Sequence, residues 1–157
     1  MVRLGVVSDS HHSDYWVQSY LRRANREKYD AVYFLGDGES EAKWLARRLK
    51  MPLYFVSGNC DVFSKAEKAL IGHHEGHTLV AVHGHFQDVK WGLETLSYYA
   101  ESQGADIALY GHTHTPRAEY VGHVFTLNPG ALMNGNYAEL VLDGGRVVPR
   151  LLYLGDK

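Results

Sequence analysis

The chain has 157 residues, 45% hydrophobic and 12% aromatic, enough apolar material for one packed core, so a single domain over residues 1–157 is expected. Its 16 basic and 18 acidic residues leave a net charge of -2, which provides no bulk attraction to nucleic acid or anionic lipid. The single cysteine, Cys60, excludes an intramolecular disulfide and a thiolate-rich zinc module, so a metal would have to be held by other residue types.

The opening segment MVRLGVVSDSHH has no apolar stretch of signal-peptide length, and no run approaches the roughly 18 apolar residues of a membrane span. A cytoplasmic protein with no membrane association is the expectation. No low-complexity tract, flexible linker or long charge block divides the chain. What recurs is a short apolar run, then Gly or Ser, then a polar residue able to bind metal. LGVVS leads to Asp9, AVYFLG to Asp37, LYFVSG to Asn59, TLVAV to His83 and IALYG to His112.

Between the first three runs the apolar spacing is helical. Val17, Tyr20, Leu21 and Ala24 follow Ser13, and Ala42, Leu45, Ala46 and Leu49 follow Ser40, each serine standing where a cap belongs. This βαβαβ order carries strand ends to one edge of a sheet, where ligands of open α/β folds bind. Beyond Asn59, KALIGHH and HTLVAVH form a hairpin about Glu75-Gly76, and Val89, Leu93, Leu96 and Ala100 mark a third helix. The remainder reads as antiparallel strands turning at Gly122, Asn134-Gly135 and Gly144-Gly145. An α/β front half and a β-rich back half predict an α/β fold of two facing sheets with helices outside.

The strand-end residues collect into Asp9 and His11 (D-x-H), Asp37 (GDG), Asn59 (GNCD), His83 (HGH), and His112 with His114 (GHTH). Two carboxylates, an amide and four imidazoles are too many for one ion, because a catalytic zinc takes three protein ligands and leaves a position open. Two ions about 3.5–4 Å apart sharing one carboxylate would use them all. Mixed oxygen and nitrogen donors suit Mn, Fe, Zn, Ni or Co, and the sequence does not choose among them.

In this order, and closed by N-P-G at Asn128 to Gly130, these motifs resemble the calcineurin-like metallophosphoesterases, in particular the compact YfcE-type branch that also contains the retromer subunit. The resemblance implies a sandwich of two mixed sheets flanked by helices. It implies that Asp9, His11, Asp37 and His114 bind a first metal, Asp37 bridging, and that Asn59, His83 and His112 complete a second site. It further implies two divalent transition-metal ions, manganese foremost, a small phosphate-ester substrate, and a homo-oligomer. The activity expected is direct in-line attack by a metal-activated hydroxide on a phosphodiester. The alternative is a non-catalytic scaffold of the retromer-subunit type, in which loss of ligands would be expected, whereas all seven positions hold competent residues. Nucleic-acid processing is disfavoured by the lack of a basic stripe.

Cys60 stands where many relatives carry a proton-donating histidine. A thiol could donate a proton, but a buried small hydrophobe is the expected role. His85 is a second candidate for touching the phosphate or leaving oxygen, or else a residue of the rim. His73, His74 and His77 read as surface loop histidines, His12 as a solvent-facing neighbour of His11, and His123 as structural. Asp61 either orients the Asn59 loop or is an ordinary turn residue, and Lys90 sits on a solvated helix face. With no inserted cap, the site is expected to be open.

Overall fold

A computed structural model describes residues 1–155. Strand β1 (Val2–Val7) sets the layering by alternation. Leu4 and Val6 point into a core between two sheets, shared with Tyr33, Leu35, Leu109 and Leu140, while Val7 faces the opposite way, under a helix. The first sheet has the order β10-β9-β1-β2-β3. Strands β1, β2 (Ala31–Phe34) and β3 (Leu53–Phe55) run parallel, joined through helices α1 (Asp14–Glu27) and α2 (Glu39–Arg48). Strands β9 (Asn136–Asp143) and β10 (Arg146–Tyr153) add antiparallel.

The second sheet has the order β4-β5-β6-β8-β7. Its centre, β5 (His77–Val82), β6 (Ile107–Leu109) and β8 (Val124–Asn128), is parallel, and the edges β4 (Ala69–His74) and β7 (Arg117–Val121) are antiparallel. Helix α3 (Glu94–Ser102) covers its outer face through Leu96 and Ala100 packed on Val80, Val82 and Val124. Helices α1 and α2 cover the first sheet through Val17, Tyr20, Ala24, Ala42 and Leu45. The result is the expected pair of facing mixed sheets flanked by helices. No helix among the described residues is long and apolar enough to cross a membrane.

Several local expectations are corrected. Ser13 precedes α1, but its side chain makes no capping bond. Helix α2 starts at Glu39 behind Gly38, and the Ser40 hydroxyl turns to Glu41 instead of capping. Helix α3 begins five residues after Val89. Positive φ at Gly84, Asp88 and Gly92 interrupts the segment, although Val89 and Leu93 are buried as their spacing implied. Asn134-Gly135 makes no hairpin. It ends a 3-10 turn that carries the chain from β8 in one sheet to β9 in the other, with Leu132 N–H bonded to Ser8 O at 2.8 Å and Met133 N–H to Asp9 O at 3.2 Å. His123 lies exposed in the turn between β7 and β8.

His73, His74 and His77 are strand residues, not loop residues. His74 Nε2 lies 2.8 Å from the Tyr33 hydroxyl, joining the facing sheets. His77 reaches Asp106 through Nδ1 at 2.6 Å and the Gly144 carbonyl of the β9–β10 turn through Nε2 at 2.9 Å. The hydrogen bond from Asp106 raises the His77 pKa above the usual histidine value. A group whose pKa is raised on folding stabilises fully below its unfolded pKa, and that contribution is lost as pH rises through the folded value. His77→Gln should therefore cost about 1 kcal/mol near pH 5.5, kept small by the half-exposed Asp106, and less by pH 8.5. Denaturant titrations at the two pH values check this, and a difference that grows with pH would contradict it.

Candidate metal centre

The C-terminal ends of β1, β2, β5 and β6 are laced together at one rim. Asp9 N–H bonds to Gly36 O at 2.9 Å, His11 N–H to Asp37 O at 3.2 Å, and Gly111 N–H to His83 O at 2.9 Å. Asp9, His11, Asp37, His112 and His114 all have left-handed backbone, with φ of 56°, 43°, 58°, 71° and 64°. Such residues are uncommon outside glycine and gather where function over-determines the chain. Two glycines allow the loops to meet. A Cβ on Gly58 would collide with Asp37 Oδ1 and lie 2.6 Å from Asp37 N, and one on Gly111 would collide with Ser8 Oγ and lie 2.7 Å from Asp9 Oδ2.

The side chains converge on two buried carboxylates. Asp9 Oδ1 is faced by His114 Nε2 at 3.2 Å, His11 Nε2 at 3.5 Å and His83 Nε2 at 3.9 Å. Asp37 Oδ2 is faced by His83 Nε2 at 3.2 Å and His11 Nε2 at 3.6 Å. His112 Nδ1 lies 3.1 Å from His83 Nε2. Two triads result, Asp9 with His11 and His114, and Asp37 with His83 and His112, each with ligand atoms within 4.8 Å of one another. His11, Asp37 and Cys60 form a third such group.

This donor set fits divalent cations. Asp9 Oδ1 and His11 Nε2 are buried and make no hydrogen bond, a costly arrangement for a protein interior. His83 Nδ1 lies 2.7 Å from Leu35 O, which can only accept, so Nδ1 carries the proton. In neutral His83 the Nε2 lone pair then faces a carboxylate oxygen at 3.2 Å, a contact that needs positive charge, supplied by a second proton on the ring or by a metal cation that both atoms ligate. Burial opposes ionisation of Asp37, yet the hydrogen bond and charge of His83 and the Cys60 N–H hold it well below the usual carboxylate range. Burial would lower His83, but Asp37 and Asp9 outweigh it and raise its pKa. His112 is pushed down to about 4 by burial and by His83, leaving its imidazole neutral and free to ligate at neutral pH.

Asn59 is an exposed residue of the loop after β3, its amide nitrogen 3.7 Å from Cys60 Sγ. Cys60 is exposed, which corrects the buried-hydrophobe expectation. Its backbone N–H donates to Asp37 Oδ1 at 2.8 Å. Partial desolvation at the rim and the charge of Asp37 push its thiol pKa up. His85 opens a 3-10 turn after β5, its ring 5.4 Å from that of His83 and 6.1 Å from that of His112, and its Nδ1 is buried without a partner. Lys90 lies exposed ahead of α3 rather than on it.

The rim depends on supports of which only some were visible in the sequence. Asp61 orients the Asn59 loop rather than serving as an ordinary turn residue, receiving four backbone N–H bonds, from Gly58, Asp37, Gly38 and Glu39, at 2.7–3.1 Å. Asn128 of N-P-G donates to Gly111 O and Thr113 Oγ1 and receives Gly130 N–H, which fixes the GHTH loop. Glu41 belongs to none of the sequence motifs. It is buried and accepts from the Ser10 hydroxyl at 2.8 Å and His12 N–H at 2.6 Å. His12 itself faces solvent, as expected.

Residues 2–141 match the calcineurin-like phosphoesterase superfamily domain. The chain belongs to the calcineurin-like phosphoesterase superfamily. It is 30% identical over 127 residues to the probable metallophosphoesterase YsnB of Bacillus subtilis, covering 81% of this chain and 73% of that protein. A predicted phosphoesterase from Streptococcus pneumoniae superposes with a TM-score of 0.84 at 28% identity, covering 98% of this chain and 90% of the other. An archaeal phosphodiesterase shares the fold with a TM-score of 0.75 at 19% identity, covering 96% and 99%. Membership in the superfamily supports a metal-dependent phosphoesterase as the class of this chain.

Proposed function

We propose that the protein is a phosphodiesterase acting on small phosphodiesters with two divalent transition-metal ions. Asp9, His11, Asp37 and His114 hold one ion, and Asp37, Asn59, His83 and His112 the other. Asp37 is shared because its Oδ2 already faces an imidazole of each set. The observation that carries the reading is the buried Asp9 Oδ1, without a hydrogen bond and faced by three imidazole nitrogens. When bound, such ions lower the pKa of water and offset charge on phosphoryl oxygens. The donor set suits manganese, and also nickel, iron, zinc or cobalt.

The chain itself positions and neutralises. Leu35 O fixes the tautomer of His83, Ser8 Oγ and His112 N–H hold Asp9 Oδ2, and Cys60 N–H holds Asp37 Oδ1. The hydroxyls of Ser8 and Ser10 are committed to Asp9 and Glu41, which favours direct attack by water over a seryl intermediate. The approach is a depression of about 310 Å³ beside His11, Asp37 and Cys60, open enough for a diester. Fold kinship with a phosphodiesterase supports the same substrate class.

The deciding experiment is metal analysis joined to a screen of mono-, di- and cyclic phosphate esters with several added metals. About two ions per chain and faster diester than monoester hydrolysis are expected. Absence of both metal and hydrolysis would reject the reading, and metal binding without turnover would point to a scaffold. Cys60 and His85 are the candidate proton donors to the leaving group. Cys60→Ala should lower kcat less than about tenfold, because alanine keeps the N–H that Asp37 accepts. A drop of ~10²-fold or more would instead make the thiol the general acid.

A further inference from the structure

A second cavity of about 330 Å³ lies between the first turns of α1 and α2, within the usual size range of small-molecule sites. His12 and Ser40 line both this cavity and the depression beside His11 and Asp37, so the cavity adjoins the approach to the metal centre. Its walls include Asp14, Val17, Gln18, Glu41 and Trp44, with no lysine or arginine among the lining residues. Trp44 is pinned by the Arg48 guanidinium 4.2 Å over its ring.

The lining chemistry selects the occupant. The first turns of both helices carry carboxylates, Asp14 in one and Glu39 and Glu41 in the other, which offset the positive helix ends and disfavour an anion. A cation gains little, because the Glu41 carboxylate already accepts from the Ser10 and Ser40 hydroxyls and from His12 N–H. The carboxylate of exposed Asp14 is screened by water. What remains is an aromatic wall with exposed hydrogen-bonding groups, in a space larger than a small amino alcohol fills.

We propose that this cleft holds one ester alcohol of the diester and that this alcohol is an uncharged nucleoside. Its base lies beside Trp44 and its hydroxyls face Asp14 and Gln18. The inference rests on the phosphodiesterase reading and names the substrate class for it.

The test compares thymidine 5′-(p-nitrophenyl phosphate), methyl p-nitrophenyl phosphate and p-nitrophenyl phosphorylcholine with Mn(II)-loaded protein. The nucleoside ester should show a KM roughly tenfold below the methyl ester, and Trp44→Ala should erase that advantage without changing turnover of the methyl ester. Equal KM values, an advantage that survives Trp44→Ala, or preference for the choline ester would overturn the proposal. In parallel, thymidine titrated into metal-free protein should shift the Trp44 indole N–H resonance, and no shift would also overturn it. A shift with no turnover of any ester would uphold the cleft and refute the phosphodiesterase reading instead.

Discussion

Asp37→Asn should reduce diester hydrolysis on the order of 10³-fold and remove bound metal while the fold persists. The carboxylate presents Oδ2 to His11 and His83 together, and Oδ1 is taken by Cys60 N–H. Asparagine keeps the shape but supplies no charge, and with its carbonyl oxygen accepting from Cys60 N–H it turns toward His11 and His83 an amide nitrogen, which donates only and cannot ligate a metal. His11 of one triad and His83 of the other both face this carboxylate, so losing it withdraws charge compensation from the whole centre. Loss of several kcal/mol of transition-state stabilisation corresponds to about three powers of ten in rate. Metal content and kcat/KM of the purified variant check this. Two ions per chain with activity within tenfold of wild type would show that Asp37 is not shared.

The second large effect falls on a residue that touches no substrate. Asp61→Ala leaves four backbone N–H groups of two separate loops without their acceptor. Bonds to an ionised carboxylate contribute about 1.5–3 kcal/mol each, and water replaces part of that at this half-buried position. A net loss of about 3 kcal/mol is expected, near 6–12 °C in Tm for a chain of this size. Activity should fall about 10- to 100-fold as the Asp37 loop drifts. Asp61→Asn should rescue little, because its amide nitrogen would confront two of the four donors. A wild-type-like Asn variant would show that Asp61 is only a turn residue.

The strands and the residues at their ends were legible because a strand writes its period into adjacent positions, and the polar residue after each apolar run stands out by contrast. The hairpin at Glu75-Gly76 was legible for the same reason, with φ of 50° and 80° at its tip. The supports were not. Asp61 serves amides about twenty residues earlier, Glu41 serves Ser10 and His12 across another element, and His77 answers to Asp106 and Gly144. Such partnerships leave no local pattern, since the acceptor and its donors meet only after the sheets assemble. Ser40 misled for a related reason. The amides at the start of α2 are claimed by Asp61, which frees the serine hydroxyl for Glu41.

The left-handed conformation shared by Asp9, His11, Asp37, His112 and His114 sets durability against activity. Each such position costs on the order of 1 kcal/mol, which glycine at the same place would largely avoid. A library selected for heat resistance alone would drift toward glycine or asparagine at this rim and return hardy, inert proteins. Selection for turnover must keep restoring the less comfortable side chains.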